Sequence, residues 1–172
     1  MMNENRPSSQ SIKSHRSVER SMSTLLVQSC SKSKISTAEP VQAIDLYSGY
    51  FYKIIKKSRR TGKFAEDIDI YILSAKYGLI SPEEPIMEYD QRMSKERAEE
   101  LADEVTVELR ELVIEGGYER VVINAGRTYR HALDPEKIPA DVSYISGDGI
   151  GTKGHALKKF INGNDSILQE AP

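Results

Sequence analysis

The chain has 172 residues, 38% apolar and 29% charged, with 24 basic and 26 acidic side chains leaving a formal net charge of -2. That length supports one domain with a sizeable core, and the near-neutral balance excludes overall charge as an argument for nucleic-acid or membrane binding. A single cysteine, Cys30, excludes an internal disulfide, and three histidines (His15, His131, His155) without ligand-like spacing give no basis for a structural zinc site. No apolar run approaches the ~20 residues that span a bilayer, and the polar N-terminus lacks the apolar core of a secretory signal. The expectation is a cytoplasmic protein without membrane contact, resident metal or cofactor.

Residues 1–23 are rich in Ser, Asn, Arg and Lys without apolar periodicity, which predicts a disordered leader. A basic arm touching nucleic acid is the alternative. Residues 164–172 are expected to be a flexible tail, leaving 24–163 as a single α/β domain. Thr24-Leu25-Leu26-Val27-Gln28 predicts a first strand. A first helix follows, with Ile44, Tyr47, Phe51, Ile54 and Ile55 on one face and Gly62 closing its charged end. Ile68 to Leu73 predicts the second strand. Ser94 is the expected N-cap of a long helix with an inner stripe of Ala98, Leu101, Ala102, Val105, Leu109, Leu112 and Val113, ended by Gly116-Gly117. Arg120 to Asn124 is a third strand, apolar enough for a sheet covered on both faces. A short helix is predicted near Thr128 to Leu133, a fourth strand at Val142 to Ser146, and a last helix at His155 to Ile161. Alternating strands and helices predict a three-layer α/β/α sandwich with a mainly parallel sheet of about four strands.

Ligands of open parallel sheets bind beyond the carboxyl ends of the strands, so the residues after each strand are the place to look for chemistry. Those are Ser29-Cys30-Ser31-Lys32-Ser33-Lys34, then Ser74-Ala75-Lys76-Tyr77-Gly78-Leu79-Ile80, then Asn124-Ala125-Gly126-Arg127-Thr128-Tyr129, then Gly147-Asp148-Gly149-Ile150-Gly151-Thr152-Lys153-Gly154 with His155. Each run combines small residues, a cation and hydroxyl or amide groups, suited to a small polar ligand with an anionic part. The alternative is that Gly and Ser make the turns while the lysines face water. Gly149 to Gly154 matches G-x-G-x-x-G in form, but no second βαβ strand and no ribose-binding acid follow it, so a dinucleotide fingerprint is excluded by context. Cys30 is a candidate nucleophile beside Lys32 and Lys34, or a small buried residue at a strand end. Asp45 and Asp90 are candidate carboxylates for activating water, Asp45 being equally a helix cap. Asp148 is a third carboxylate, or a turn residue. The link from Ser81 to Met93 is too long and apolar for a plain turn and is expected to form a lid or pocket wall.

"QSCSKSK", "DLYSGYFYK", "YILSAKYGLISPEEPIMEYD" and "GIGTKGHALKKF" resemble the motifs of a family of uncharacterised small α/β domains from archaea, bacteria and phages. The likeness runs from about Leu25 to Phe160. That family is distantly similar to domains of archaeosine synthase and, more loosely, to the YaaA peroxide-stress proteins and the uracil-DNA glycosylase fold. The resemblance implies Cys30, Ser31, Lys32, Lys34, Tyr47, Gly49, Ser74, Lys76, Gly78 and Asp90 as signature positions. The glycosylase water-activating loop and its His-Pro-Ser loop are not reproduced.

The resulting expectation is an enzyme of nucleotide or nucleic-acid metabolism acting at an N-glycosidic bond or a modified base, on tRNA, DNA or a free nucleotide. Lys32, Lys76 and Lys153 would hold phosphate, Tyr47 and Tyr77 would stack on a base, and Asp90 or Asp45 would activate water, with Cys30 as the candidate nucleophile. Ser31, Lys34, Ser74, Gly78, Asn124, Arg127, Gly149, Gly151 and His155 complete the expected ligand contacts. The alternatives are a non-catalytic nucleotide or nucleic-acid binding module and a stress-linked interaction protein.

Overall fold

The computed structural model describes residues 23–164 and 169–170. The expected leader, apart from Ser23, and most of the expected tail lie outside the described residues. The elements in chain order are β1 (Thr24–Ser29), β2 (Val41–Gln42), α1 (Ala43–Leu46), α2 (Tyr50–Arg60), β3 (Ile68–Ser74), β4 (Gly78–Ile80) and β5 (Pro85–Ile86). They continue with α3 (Lys95–Gly116), β6 (Arg120–Asn124), α4 (Arg127–Arg130), a 3-10 turn at Pro135–Lys137, β7 (Asp141–Tyr144), α5 (Ile150–Ile161) and β8 (Gln169–Glu170).

The fold is mixed α/β around a mostly parallel sheet in the order β4-β3-β1-β6-β7-β8. The four strands expected from the sequence are its parallel centre: β1 pairs with β3 and β6, and β6 with β7, all parallel. The sheet is larger than expected because β4 and β8 add antiparallel edges. Both are very short, and β4 is the return of a tight hairpin from β3 rather than a periodic apolar run.

Burial follows the two-residue alternation of a strand. Leu26, Ile70, Ile72, Val122 and Ile145 face a cluster with Tyr52 and Ile55 of α2 and Leu157 and Phe160 of α5. Leu25, Val27, Leu73, Val121 and Ile123 face the other way, onto Ala98, Leu101, Val105, Leu109 and Val113 of α3. Full burial of each larger apolar side chain is worth about 1.5–3 kcal/mol. Ser94 caps α3 as expected, its Oγ accepting the Arg97 amide at 3.0 Å, and Gly117 ends it in the left-handed region at φ 67°.

Two helices begin or break where periodicity alone does not indicate. The last helix starts at Ile150, before His155, with Gly149 as its N-cap. The first helix is interrupted: Tyr47 is extended (φ -79°, ψ 128°), separating α1 from α2. The loop after β1 captures this break. Ile35 donates its amide to Leu46 O and Ser48 donates to Ser33 O, both at 2.9 Å, and Lys34 bridges Tyr47 in antiparallel fashion. Gly49 approaches Ser31 so closely that a Cβ at Gly49 would lie 2.6 Å from Ser31 Cβ.

The connections run from β1 through α2 to β3 on one side, then through α3 back across to β6 on the other. The chain direction along the sheet therefore reverses between β1 and β6, the crevice where such sheets bind ligands.

The core assignment predicts that Leu109→Ala lowers unfolding free energy by about 2–5 kcal/mol. Val107→Ala, on the same helix but 53% exposed, should change it by less than about 0.5 kcal/mol. Urea denaturation with an unchanged m-value checks both.

Candidate functional site

The crevice between β1 and β6 is spanned by a side-chain pair. Cys30, just past β1, lies with Sγ 3.1 Å from the Tyr129 hydroxyl on α4. Tyr52 of α2 donates to Ser29 O at 2.9 Å, fixing the last carbonyl of β1. On the floor of the same edge Asn124 donates Nδ2–H to Gln28 Oε1 at 2.9 Å. Asn124 is 1% exposed, and its Oδ1 has no hydrogen-bond partner among the described residues.

The exit of β3 is organised by one hydroxyl. Ser74 Oγ, fully buried, accepts the amides of Lys76 at 3.1 Å and Tyr77 at 3.0 Å. With both lone pairs engaged, its own proton points to the remaining partner, Tyr89 Oη at 3.0 Å. Tyr89 Oη continues to Tyr47 Oη at 2.7 Å. The carbonyls of this turn are held from outside: Arg97 of α3 donates Nε to Ala75 O at 2.7 Å and Nη2 to Lys76 O at 2.9 Å. Gly78 then closes the turn at φ 77°, a conformation glycine adopts without strain.

Tyr89 is the centre of an aromatic and cationic cluster. Tyr77 packs edge-to-face against it at 5.5 Å and Tyr47 at 6.3 Å between centroids. The Lys34 ammonium lies 4.4 Å from the Tyr89 centroid and that of Lys76 5.9 Å from it. Lys76 also sits 5.3 Å from the Tyr77 ring. The Lys34 ammonium further donates to Lys32 O at 3.3 Å, while Lys56 donates to Tyr47 O at 3.0 Å across the helix break. Ser31 Oγ accepts the Gly49 amide at 3.2 Å.

A second cluster occupies the exits of β6 and β7. Arg130 donates Nε to Ala125 O at 3.2 Å and stacks its guanidinium 4.2 Å over the Tyr144 ring. Burial, with the nearby Arg130 charge adding to it, holds the Lys153 ammonium below the usual lysine range. A Cβ at Gly147 would lie 2.8 Å from Lys153 N, so that glycine lets the β7 exit approach the first turn of α5.

Burial raises the tyrosine hydroxyls. Tyr47 is pushed up to about 12, mainly by desolvation and against the lowering effect of its hydrogen bonds. Tyr52, Tyr89 and Tyr129 are raised by burial first and by the neighbouring Cys30 second. These groups are neutral at physiological pH: they donate and accept hydrogen bonds and are unsuited to remove protons. Burial also sets Cys30 apart from its flanking lysines, since Lys32 is exposed and Lys34 points to Tyr89.

Of the expected residues, Cys30, Ser31, Lys34, Tyr47, Ser74, Lys76, Tyr77 and Gly78 come together around the β1 and β3 exits. Asn124 and Lys153 belong to the β6 and β7 exits. Lys32, Arg127, Gly149, Gly151 and His155 are exposed. Asp45, Asp90 and Asp148 are exposed too, and none makes a hydrogen bond or ion pair with a described residue. Asp45 does not cap its helix: α1 is preceded by Gln42 and has no side-chain cap. Sequence reasoning passed over Tyr89, Arg97 and Arg130, and placed Tyr129 in the run after the third strand without giving it a contact. Tyr89 was detectable as the aromatic residue inside the long apolar link, next to Asp90. Arg97 and Arg130 stand in helical patterns that give no sign of a site.

Raised tyrosines tie stability to alkaline pH. A tyrosine at about 10 in the unfolded chain and about 12 when folded keeps its proton better in the native state. Its contribution is complete below pH 10 and is lost as the pH rises from about 10 to 12. Titration of phenolate absorbance together with circular dichroism should show an exposed group of tyrosines ionising first and the buried group ionising only with cooperative unfolding.

The comparisons with known proteins supply a family and no activity. No curated protein matches the chain. It is similar to a solved structure titled "Crystal structure of AF0587, a protein of unknown function", at 15% identity and a TM-score of 0.47. That likeness covers 81% of this chain and 44% of the other, so the chain spans less than half the length of that protein. A family model matches residues 25–159, taking in every element from β1 to most of α5, and by that match the chain belongs to DUF6884, a family of unknown function.

Proposed function

We propose that the carboxyl edge binds a nucleobase–phosphate ligand and that the protein serves nucleotide or nucleic-acid metabolism. The observation that carries this reading is the Tyr89 cluster: the partly exposed Tyr77 ring packed on Tyr89, with the Lys34 and Lys76 ammonium groups against it. Tyr47, expected to stack on a base, is fully buried behind Tyr89 and has no face for a ligand. A half-buried Tyr77 offers a ring for a base, and the two ammonium groups offer charge for phosphate. The unpartnered Asn124 Oδ1 adds a buried acceptor for an amino group.

In the catalytic form of this reading, Asp90 or Asp45 activates water for attack at an N-glycosidic bond or a modified base. The distant likeness to domains of archaeosine synthase, the YaaA proteins and the glycosylase fold belongs to the same proposal, as do a cytoplasmic setting and a single three-layer domain over 24–163. One observation favours a second reading, a binding module without chemistry. The hydroxyls around Tyr89 are held protonated by burial, and Asp45 and Asp90 both stand exposed, without a described partner to orient them.

Calorimetric titration with nucleoside monophosphates separates these. Lys34→Ala and Lys76→Ala should each weaken binding by roughly tenfold at low salt and less at high salt. Asp90→Asn and Asp45→Asn should leave binding intact, and should abolish turnover if the protein is an enzyme. Failure of the wild-type protein to bind any nucleoside, nucleotide, tRNA or DNA would sink the proposal.

A further inference from the structure

The two helical faces carry opposite charge. Helix α3 bears eight carboxylates (Glu96, Glu99, Glu100, Asp103, Glu104, Glu108, Glu111, Glu115) against Lys95, Arg97 and Arg110. Burial and the charges of Glu104 and Glu111 raise Glu108, a sign of how closely these groups crowd. On the opposite side α2 carries Lys53, Lys56, Lys57, Arg59 and Arg60, and α5 carries Lys153, Lys158 and Lys159, with no carboxylate on either helix. In a chain of net charge -2, α2 and α5 therefore carry basic charges alone.

Helices α2 and α5 run in the same direction. Tyr50 at the start of α2 meets Gly154 near the start of α5, where a Cβ would lie 2.4 Å from the ring, and Ser58 donates to Asn162 Oδ1 at 2.6 Å near their far ends. Between them lies a groove of about 520 Å³ lined by Tyr50, Lys57, Lys63, His155, Lys158 and Asn162 among others, with no acid among the described residues of its wall. The ion pairs Arg97–Glu100 and Lys137–Asp134 lie elsewhere. Tyr50 is 45% exposed at the end of the groove nearest the carboxyl edge.

We infer that this groove carries the backbone of a single-stranded polynucleotide, leading one of its nucleotides to the carboxyl edge. Concave shape, unpaired ammonium groups, a ring face and hydroxyl and amide donors are the features that hold a single strand. A flat lipid surface would instead favour a convex basic face. The choice of a polynucleotide over other anions rests on the nucleobase reading of the edge, and it narrows that reading from free nucleotide to polymer.

Fluorescence anisotropy with a fluorescein-labelled single-stranded RNA of about 15 nucleotides tests this. The exposed pair Lys57→Gln/Lys158→Gln should weaken binding by roughly tenfold. It should also flatten the dependence of log affinity on log salt by about 1.4, or about 0.7 per lost phosphate contact. Glu99→Gln, on the acidic face, should change neither. Unchanged affinity in the double variant overturns the inference, as does lysine-dependent binding to phosphatidylserine vesicles without RNA binding. If the RNA binds no better than a mononucleotide held by Lys34 and Lys76, the groove assignment fails while the reading of the edge stands. If the RNA binds through Lys57 and Lys158 and no mononucleotide binds, the reading of the edge fails and the groove assignment stands.

Discussion

The buried hydroxyl of Ser74 is the joint on which the carboxyl edge depends. It lies at the last position of β3, where the parallel sheet ends and the chain must reverse into β4. Two amides of the turn point back into the core there, and a buried amide without a partner costs about 1–3 kcal/mol. One short hydroxyl satisfies both and still has a proton for Tyr89. An aliphatic side chain would satisfy none of the three. The same atom therefore shapes the turn that presents Lys76 and Tyr77, and sets the direction of the hydrogen bond to the tyrosine at the centre of the cluster.

A second constraint acts at the neighbouring strand. The loop after β1 is held by pairing with the interruption between α1 and α2, so Lys34 reaches Tyr89 only because Tyr47 leaves the helical path. Gly49 is needed for that approach, and Lys56 reaches back to cover the freed Tyr47 carbonyl. The interruption costs helical hydrogen bonds and returns three cross-loop contacts together with a tyrosine side chain aimed into the edge. Helix and loop are thus one unit, and the Cys-Ser-Lys run has its conformation from residues more than ten positions away.

These couplings explain what could be read in advance. The parallel centre of the sheet, the long helix with its Ser94 cap and Gly117 end, and the gathering of Cys30, Lys34, Ser74, Lys76 and Tyr77 at one edge all follow from local patterns. Those patterns are strand alternation, helical stripes and small polar residues after strands. The helix break at Tyr47 did not follow, because Ile44, Tyr47, Phe51 and Ile54 fit a helical stripe and the competing pairing is with a distant loop. Edge strands β4 and β8 are too short to generate a period. Arg97 serves the β3 turn from a helix whose pattern marks that position only as a surface residue, and Tyr89 lies in the irregular stretch between β5 and α3. What was missed is long-range, and one sequence contains no direct record of it.

Charge placement on the basic layer also bears on function, because a helix has its own preferences. Cations in the last turn of a helix gain roughly 0.3–1 kcal/mol from the macrodipole, so Lys57, Arg59 and Arg60 on α2 and Lys158 and Lys159 on α5 are partly explained by stability alone. The same principle favours acids in the first turn, and α3 follows it with Glu96. Neither α2 nor α5 has an acid there, although both begin at the carboxyl edge of the sheet. Stability alone would welcome a carboxylate at Tyr50 or Ile150. A site that receives phosphate would not, since a fixed negative charge at either position would repel the ligand. The lack of acids in the first turns of α2 and α5 therefore argues in the same direction as the cations along the groove, with Asp148, just before the Gly149 N-cap, as the one acid beside the start of α5.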